Sequence, residues 1–301
     1  MFDEILSILT YKITIMPKTG FLVSQGSLPL DPAEPDISFM RCSIPGIGAL
    51  PYIPGSSIKG PFRAHGESLL KSLENQTGKR FACNSQDEQA VCREKSISKD
   101  SKGSEKYLGI CYACRMFGCT LVASVIRFED CYPWQNLEEA SDLYKRLDEH
   151  IMVRNGIAID RNSGKVKGGA LFYYESLNLP FYGQVVLKNP ELWQVALFLK
   201  IIDHVNEGFQ KFGRAKSRGL GRVEITPTEL TLYTKGRKGF LFRTTNNGRE
   251  ASAECEIGNL KLSDDGWLRK GVVSGEEMIK ANAFISKKGI EELLQRAEQV
   301  G

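Results

Sequence analysis

The chain has 301 residues, 42% of them hydrophobic, so it is long enough to form one large domain or two small ones, with a real core. Its formal net charge of +4 excludes a uniformly basic nucleic-acid-binding protein, so any such function must depend on a local basic patch. No apolar run approaches the ~20 residues of a membrane span, and the N-terminal segment lacks a signal-peptide pattern. Eight cysteines without a secretory signal are typical of the reducing cytoplasm, where cysteines bind metal or are simply buried.

The first half of the chain predicts a strand followed by a helix. Residues 8–16 alternate between apolar and polar side chains and are rich in β-formers, which predicts a β-strand. Apolar residues at helical spacing predict a helix from a cap at Ser56 or Ser57 to about Leu73. Pro61 is then expected in the first turn, where proline is tolerated.

The remaining elements complete an α+β pattern. Residues 84–106 are polar and charged and predict a mobile insertion. A helix is expected to begin at Asn189 as its cap and to end near Gly208. Further strands are predicted at 121–130, 169–178, 181–188 and 222–233, with a short helix near 136–148. Without the insertions, the order is strand, helix, strand, strand, helix, strand, which is typical of a ferredoxin-like or RRM-like core.

This order predicts a core over residues 1–231, with a cysteine-containing insertion at about 80–118 and a hairpin at about 155–176. Residues 232–301 contain a further strand and an amphipathic helix. We interpret them as a C-terminal extension packed on the core, because they contain too few elements for an independent domain. The fold by itself does not establish a function.

Residues 208–222, GFQKFGRAKSRGLGR, contain four glycines, five basic residues and no acid. We call this segment the basic loop. Glycine allows sharp turns and close approach to a ligand, and Arg214, Lys216 and Arg218 supply donors suited to phosphate. The pattern favours binding of a polyanion over a solvated glycine turn, but it does not distinguish RNA from DNA or from a nucleotide.

Residues 51–63, PYIPGSSIKGPFR, lead from an extended segment into the first predicted helix. The start of a helix offers free N–H groups and a positive dipole end to an anion. Ser56, Ser57, Lys59 and Arg63 would surround such an anion. Ordinary helix capping with surface bases explains the same residues equally well. The spacing excludes a Walker P-loop.

Four cysteines have the pattern of a structural zinc site. Cys111 and Cys114 form a CxxC knuckle, and Cys83 and Cys92 can complete a tetrahedral thiolate set. Such a site would fasten the insertion to the core, since metal binding contributes folding energy. The alternatives are a redox pair and burial as small hydrophobic residues, which is the role we expect for the remaining four cysteines.

Carboxylates precede the helix-start motif in a proline-rich segment that contains Asp31, Glu34 and Asp36. Such acids can bind Mg²⁺ or act on a ribose hydroxyl, although a solvated acidic loop is the simpler interpretation. The histidines, at positions 65, 150 and 204, are far apart in the sequence. We therefore expect no histidine pair for ribonuclease chemistry.

Residues 155–176 predict a projecting hairpin, because a polar, glycine-containing tip leads into an alternating strand. The tip contains Asp160, Arg161, Lys165 and Lys167. It is suited to contact with nucleic acid, and an ordinary surface turn would have the same composition.

Together these motifs resemble the RAMP superfamily of CRISPR-associated proteins. They occur in the order typical of that family and span most of residues 8–230. The matching segments are PYIPGSSIKGPFR at 51–63, CYACRMFG at 111–118, GIAIDRNSG at 156–164 with the following LFYYESL, and GRAKSRGLGRV at 213–223. The nearest resemblance is to the backbone subunit of type III (Csm/Cmr-like) effector complexes, with III-D as a candidate branch.

This resemblance implies an RRM-like core with an inserted lid and a thumb hairpin around 160–167. Copies or paralogues of such a subunit stack along a guide RNA, which pairs with target RNA inside a complex with other CRISPR effector subunits. The implied RNA-binding residues are Ser56, Ser57, Lys59, Arg63, Asp160, Arg161, Lys165, Lys167, Gly213, Arg214, Lys216, Ser217 and Arg218.

The resemblance also implies cleavage of target RNA that depends on Mg²⁺ or Mn²⁺ and uses an aspartate before the PGSS motif. Asp36 is the best match, and Asp31 is the alternative. A zinc site in the insertion is common among related subunits, which supports the set Cys83, Cys92, Cys111 and Cys114. Two other functions stay open: a non-catalytic guide-binding or capping subunit, and a stand-alone endoribonuclease that processes repeat RNA.

Overall fold

The structure is a computed structural model of the chain, and it describes residues 4–24, 26, 35–77, 81–83, 92, 103–246, 249–257 and 260–298. The helices are α1 (Gly55–Thr77), α2 (Gly103–Gly109), α3 (Tyr112–Phe117), α4 (Leu137–Lys145), α5 (Leu192–Asn206) and α6 (Gly275–Glu298). The first six strands are β1 (Ser7–Pro17), β2 (Arg41–Ile44), β3 (Gly48–Pro51), β4 (Ile126–Phe128), β5 (Ile151–Ile159) and β6 (Val166–Leu177). The others are β7 (Phe181–Lys188), β8 (Val223–Thr234), β9 (Gly239–Asn246), β10 (Arg249–Glu256), β11 (Ser263–Asp264) and β12 (Arg269–Ser274).

The central sheet is antiparallel, with the strand order β11-β12-β8-β1-β7-β4. Four of these strands, taken in chain order as β1, β4, β7 and β8, have the spatial order fourth, first, third, second. That is the arrangement of a split βαβ fold with α1 and α5 as its two helices. The predicted α+β, ferredoxin-like core is therefore confirmed.

The core lies between this sheet and the two helices. Alternate residues of β1 are buried, as the sequence pattern predicted. The ring of Phe198 on α5 lies 5.3 Å from that of Tyr11 on β1 and 5.9 Å from that of Phe62 on α1. These aromatic contacts lock both helices onto the same face of the sheet.

Three hairpins lie outside the central sheet among the described strands, and one of them pairs β9 with β10. Strands β5 and β6 pair only with each other within the described strands, from Ile151 opposite Leu177 to Ile159 opposite Val166. Strands β2 and β3 form a smaller hairpin. Because the β5–β6 hairpin stands outside the main sheet, its apolar side chains, including those of Ile157, Ile159 and Val166, are exposed.

The C-terminal residues join the core instead of folding apart from it. Strand β12 extends the central sheet by pairing with β8. Helix α6 packs closely on α5, since a Cβ at Gly289 would lie 2.5 Å from the Cβ of Ala196. Arg296 of α6 also pairs with the buried Glu191, whose carboxylate accepts a hydrogen bond from Tyr107 of α2.

Three predicted element boundaries differ from the structure. Helix α1 begins at Gly55 and continues to Thr77, so neither predicted serine precedes it and Pro61 lies in the second turn. The strand predicted at 121–130 contains only the three residues of β4. Asn189 does not cap α5, because its backbone is left-handed, with φ 48°, and its side chain binds the N–H groups of residues 6 and 7.

Most of the predicted mobile insertion lies outside the described residues, apart from Cys92 and the residues of α2. Within the part of the chain that the structure describes, no helix is long and apolar enough to cross a membrane.

Candidate functional site

The basic loop follows α5 and is held against the segment after β1. The N–H of Arg214 donates to the carbonyl oxygen of Leu22 at 2.8 Å, and the N–H of Gly221 donates to that of Gly20 at 3.0 Å. Gly213 has φ 75°, and a Cβ there would lie 2.1 Å from the carbonyl oxygen of Leu22. Only glycine fits this position, so the sequence itself fixes the path of the loop.

The basic side chains of this loop lie beside the base of the β5–β6 hairpin. A cavity of about 540 Å³, which we call the loop–hairpin cavity, is lined by Leu22, Ile37, Phe172, Tyr174 and residues 214–218. Arg214, Lys216, Ser217 and Arg218 are exposed at its edge, and the guanidinium of Arg218 lies 5.6 Å from the centre of the Phe172 ring. The cavity thus combines cations with an aromatic surface, which is a combination suited to nucleotides.

Asp36 lies at the base of the same hairpin. Its Oδ2 accepts a hydrogen bond from the N–H of Tyr173 at 2.7 Å. The next residue, Ile37, bonds to β6 on both sides, donating to Tyr173 and accepting from Glu175. One oxygen of Asp36 therefore anchors the hairpin, and Ile37 places the carboxylate next to the loop–hairpin cavity.

The other acidic candidates, Asp31 and Glu34, lie outside the described residues. Among the described residues, Asp36 is not part of any cluster of three or more metal-ligating side chains. Mg²⁺ is commonly bound by one or two carboxylates together with substrate phosphates and water. The single carboxylate of Asp36 fits such an ion only when RNA supplies further ligands.

The start of α1 is partly capped by the protein itself. The N–H of Gly55 donates to the carboxylate of Asp130 at 2.8 Å, and the N–H of Ser57 donates to the carbonyl oxygen of Pro54 at 2.9 Å. Ser56 is exposed, and burial together with Arg63 lowers the pKa of the half-buried Lys59. The predicted anion site at this helix start is therefore already partly satisfied by Asp130.

Helix α1 and the basic loop are direct neighbours. The ring of Phe62 lies 5.9 Å from that of Phe212, which is buried within the loop. The two predicted phosphate-binding motifs therefore lie on elements that pack against each other in the core.

The four predicted metal ligands come together. The sulfurs of Cys83, Cys92, Cys111 and Cys114 lie within 4.8 Å of one another, and all four residues are buried. The Cys83 and Cys114 sulfurs are 3.6 Å apart, close to the ~3.8 Å edge expected for four sulfurs around one tetrahedral zinc. Backbone N–H groups of Cys111 and Cys114 donate to the sulfurs of Cys92 and Cys111, so the chain supports this cluster with its own dipoles.

The charges in the cysteine cluster also fit a cation. Hydrogen bonds from Cys111 and Cys114 lower the pKa of Cys83 and lower that of Cys92 to about 6, whereas hydrogen bonding to Cys111 raises the pKa of Cys114. Hydrogen bonding within the cluster thus favours the thiolate at Cys83 and Cys92 and opposes it at Cys114. A bound divalent cation would remove that opposition.

Arg63 has a role that the sequence did not indicate. Its guanidinium donates to Glu67 at 2.8 Å, to the carbonyl oxygen of Gly118 at 3.1 Å, and to the sulfur of Cys114 at 3.8 Å. These contacts connect α1 to the cysteine cluster. They leave Arg63 less available to RNA than the exposed bases of the loop.

The tip of the β5–β6 hairpin is closed by Asp160. Its Oδ1 accepts hydrogen bonds from the N–H groups of Asn162 and Ser163 and from the Ser163 hydroxyl, at 2.8 to 3.0 Å. The bond from the Ser163 N–H is the main reason that the pKa of Asp160 is lowered. The exposed bases of the tip are Arg161, Lys165 and Lys167.

The sequence of the chain also matches a known protein family. The sequence matches the RAMP superfamily over residues 46–224, which is more than half of the chain and includes the basic loop, the cysteine cluster and the hairpin. The chain belongs to the RAMP superfamily.

No curated protein matches the sequence of this RAMP protein. A chain of the type III-B Cmr-beta cryo-EM structure in its apo state is similar to it with a TM-score of 0.42 and 14% sequence identity. The similarity covers 72% of the RAMP protein and 96% of that chain.

The prediction that this RAMP protein has no histidine pair was wrong. The Nε2 of His65 on α1 lies 2.9 Å from the Nδ1 of His204 near the end of α5, close enough for one ring nitrogen to donate to the other. Burial and the nearby His204 lower the pKa of His65. A separation of 139 residues hides this pair in the sequence, and only the packing of α1 beside α5 brings the two rings together.

Proposed function

We propose that this RAMP protein is a backbone subunit of a type III CRISPR effector complex in the cytoplasm, where it binds guide RNA and cleaves the paired target RNA. One observation carries the proposal: the basic loop, the hairpin base and the residue after Asp36 line a single cavity. Exposed basic side chains and a carboxylate thus lie close together, which supports a surface where a guide held by the loop presents its paired target strand to Asp36. Other effector subunits, including copies or paralogues of this chain, are the expected protein partners.

In this proposal the basic loop holds the guide by its backbone. Lys and Arg bind phosphate without reading sequence, which suits a subunit that must accept any guide. The loop residues Arg214, Lys216, Ser217 and Arg218 contribute side chains, and Gly213 contributes close backbone approach. Ser56, Ser57 and Lys59 extend the same surface along α1, while Arg161, Lys165 and Lys167 contact the guide–target duplex from the hairpin tip.

Cleavage is assigned to Asp36. The ribose 2′-hydroxyl gives its proton to water and attacks the adjacent phosphorus, the bond to the 5′-oxygen breaks, and that oxygen takes a proton from water, so the products are a 2′,3′-cyclic phosphate and a 5′-hydroxyl. The Oδ1 of Asp36, for which the described residues supply no hydrogen-bond donor, would orient that attack, since Oδ2 is held by Tyr173. A Mg²⁺ or Mn²⁺ ion shared by Asp36 and the RNA would stabilise the charge that develops on the phosphate oxygens.

Asp36→Asn in the reconstituted complex tests this assignment. Asparagine keeps an acceptor for the Tyr173 N–H, so the hairpin stays in place while the negative charge is lost. We expect target cleavage to fall by at least ~100-fold with unchanged guide occupancy, because catalytic positioning and charge stabilisation each contribute at about that level.

The matched variant is Asp31→Ala, which removes the alternative acid. Loss of cleavage in Asp31→Ala with full activity in Asp36→Asn would move the site to Asp31. Full activity in both variants would mean that the subunit only binds and positions RNA while a paralogue cuts.

We further propose that the four-cysteine cluster binds structural zinc. The donor set, its burial and its sulfur separations support this assignment. Zinc would join Cys83 and Cys92 to the CxxC knuckle and so fasten the insertion to the core. Metal analysis of the purified protein should find one zinc per chain, and a protein without zinc would contradict the assignment.

The histidine pair favours a second candidate, a stand-alone endoribonuclease that processes repeat RNA. Paired imidazoles are typical acid–base groups, and His65 and His204 lie beside the basic loop. This candidate predicts that the purified chain cuts repeat RNA without partners and that His65→Ala abolishes the cut. The primary proposal predicts no cut by the isolated chain.

A further inference from the structure

Phe209 is an exposed aromatic residue inside the basic loop. Its relative exposure is 69%, which is far above that of Phe212 in the same loop, a buried core residue. Single exposed apolar residues are common on protein surfaces, so exposure by itself indicates little. What distinguishes Phe209 is the way it is supported and the charge beside it.

The ring of Phe209 is held in position by the end of α5. Its N–H donates to the carbonyl oxygen of His204 at 2.9 Å, and its ring packs against the His204 imidazole at 5.4 Å and 85°. His204 is in turn hydrogen-bonded to His65 on α1. Three rings on two helices and a loop therefore form a series that ends at the exposed Phe209.

A cation lies beside Gly208, the residue that precedes Phe209. Gly208 has φ 88° and no side chain, and a Cβ built there would lie 3.5 Å from the Nε of Arg222. Arg222 is exposed, and its backbone is fixed by bonds to Lys18 and Thr19. The loop thus places an exposed guanidinium against the residue that precedes the exposed aromatic ring, and these are the groups that bind phosphate and base in a bound nucleic acid.

We propose that Phe209 is a base-stacking residue: an unpaired nucleobase of the bound RNA stacks on its ring while a neighbouring phosphate pairs with Arg222. The inference rests on the proposed RNA-binding function and adds a defined contact to it. Because every base has a π-face, the contact does not depend on the base. It lies at the α5 end of the loop, whereas the loop–hairpin cavity is formed by residues 214–218.

The test is binding of a short oligouridine RNA to the full chain, with four variants at two positions. Phe209→Ala should weaken binding about tenfold, and Phe209→Leu should do nearly the same, because leucine retains apolar area but has no π-face. Phe209→Trp should restore wild-type affinity, with tryptophan fluorescence quenched on RNA binding. Trp267→Ala is the control, since Trp267 is 94% exposed and lies in the C-terminal extension, away from the loop.

An abasic RNA of the same length separates base contact from backbone contact. The Phe209→Ala effect should vanish on this RNA, whereas the loss caused by Arg214→Ala should persist on both RNAs. Wild-type affinity of Phe209→Ala or Phe209→Leu for oligouridine would overturn the inference while leaving the proposed function intact. Absence of RNA binding by the wild-type chain, with no effect of Arg214→Ala in the assembled complex, would instead contradict the proposed function.

Discussion

The basic loop and the tip of the β5–β6 hairpin both present exposed bases, but their backbones are fixed in different ways. The loop is bonded to the segment after β1, and Gly213 lies directly against the carbonyl oxygen of Leu22. The tip depends on the local hydrogen bonds of Asp160, and its strands pair only with each other among the described strands. The two regions thus share exposed basic side chains but differ in how firmly the backbone holds those side chains in place.

This difference predicts a division of roles. A rigid, positively charged surface binds with little loss of conformational freedom, so the loop should determine affinity for the guide. A projecting hairpin with exposed apolar side chains should act on the geometry of the guide–target duplex instead. The four predictions below test this division, from the largest expected effect to the smallest.

Gly213→Ala should disrupt the loop. The new Cβ would lie 2.1 Å from a backbone oxygen at a residue with φ 75°, so the chain cannot keep its present path. We expect a loss of more than ~2 kcal/mol in unfolding free energy, measured by denaturant titration, and loss of guide binding. Gly219→Ala is the matched control, because Gly219 has φ 87° but no atom within 4 Å of the built Cβ. It should cost only about 1 kcal/mol, and equal losses in the two variants would refute the idea of a tightly held loop.

Removal of zinc should loosen the insertion more than the sheet. Cys111→Ser should lose the metal and increase amide hydrogen exchange in α2 and α3, while β1 and β7 keep their protection. Cys119→Ser is the control, since Cys119 lies outside the cluster and should keep one zinc per chain. Equal loss of protection in α3 and β1 would show that the cluster supports the whole fold.

Removing three exposed bases from each region should separate the roles of the two regions by salt dependence. The loop variant replaces Arg214, Lys216 and Arg218 with alanine, and the tip variant does the same to Arg161, Lys165 and Lys167. For single-stranded guide, the loop variant should reduce the slope of log K against log salt by about 2, since each phosphate contact contributes about 0.7. The tip variant should change that slope by much less and should alter cleavage of the duplex instead. Equal slopes of log K against log salt for the two variants would contradict the proposed division of roles between the loop and the tip.

The smallest effect is expected from the turn at the hairpin tip. The pKa of Asp160 is lowered in the folded state, so its contribution to local stability is complete above its unfolded pKa of about 3.9 and is lost as pH falls through the folded value. Amide exchange at residues 162 and 163 should therefore be pH-independent near neutrality and should accelerate relative to intrinsic rates below about pH 4. Asp160→Asn should abolish this acid-dependent step, and its persistence would assign the step to another group.

Local patterns in the sequence predicted much of this molecule. The alternation of apolar and polar residues in β1 and the order of strands and helices were enough to predict the core. The spacing of four cysteines was enough to predict the cysteine cluster. The strand pattern is local in the sequence, and the cluster is signalled by cysteine, a residue type with few alternative roles.

Other features depend on long-range packing and were not predictable. Asp130, which binds the N–H of Gly55, lies 75 residues away from it, and His65 meets His204 across 139 residues. The sequence likewise suggested Arg63 as an RNA ligand. Its contact with Cys114 could not be predicted, because that contact forms only when α1 packs on the insertion.

The most direct measurement is the structure of the assembled particle with guide RNA and a target that carries a 2′-deoxy sugar at the cut site. The account predicts guide phosphates on Arg214 and Lys216 of the basic loop. It also predicts the scissile phosphate within about 4 Å of the Asp36 carboxylate, the span of two oxygens that share one Mg²⁺. A guide bound elsewhere, or a scissile phosphate beyond the reach of Asp36, would contradict it.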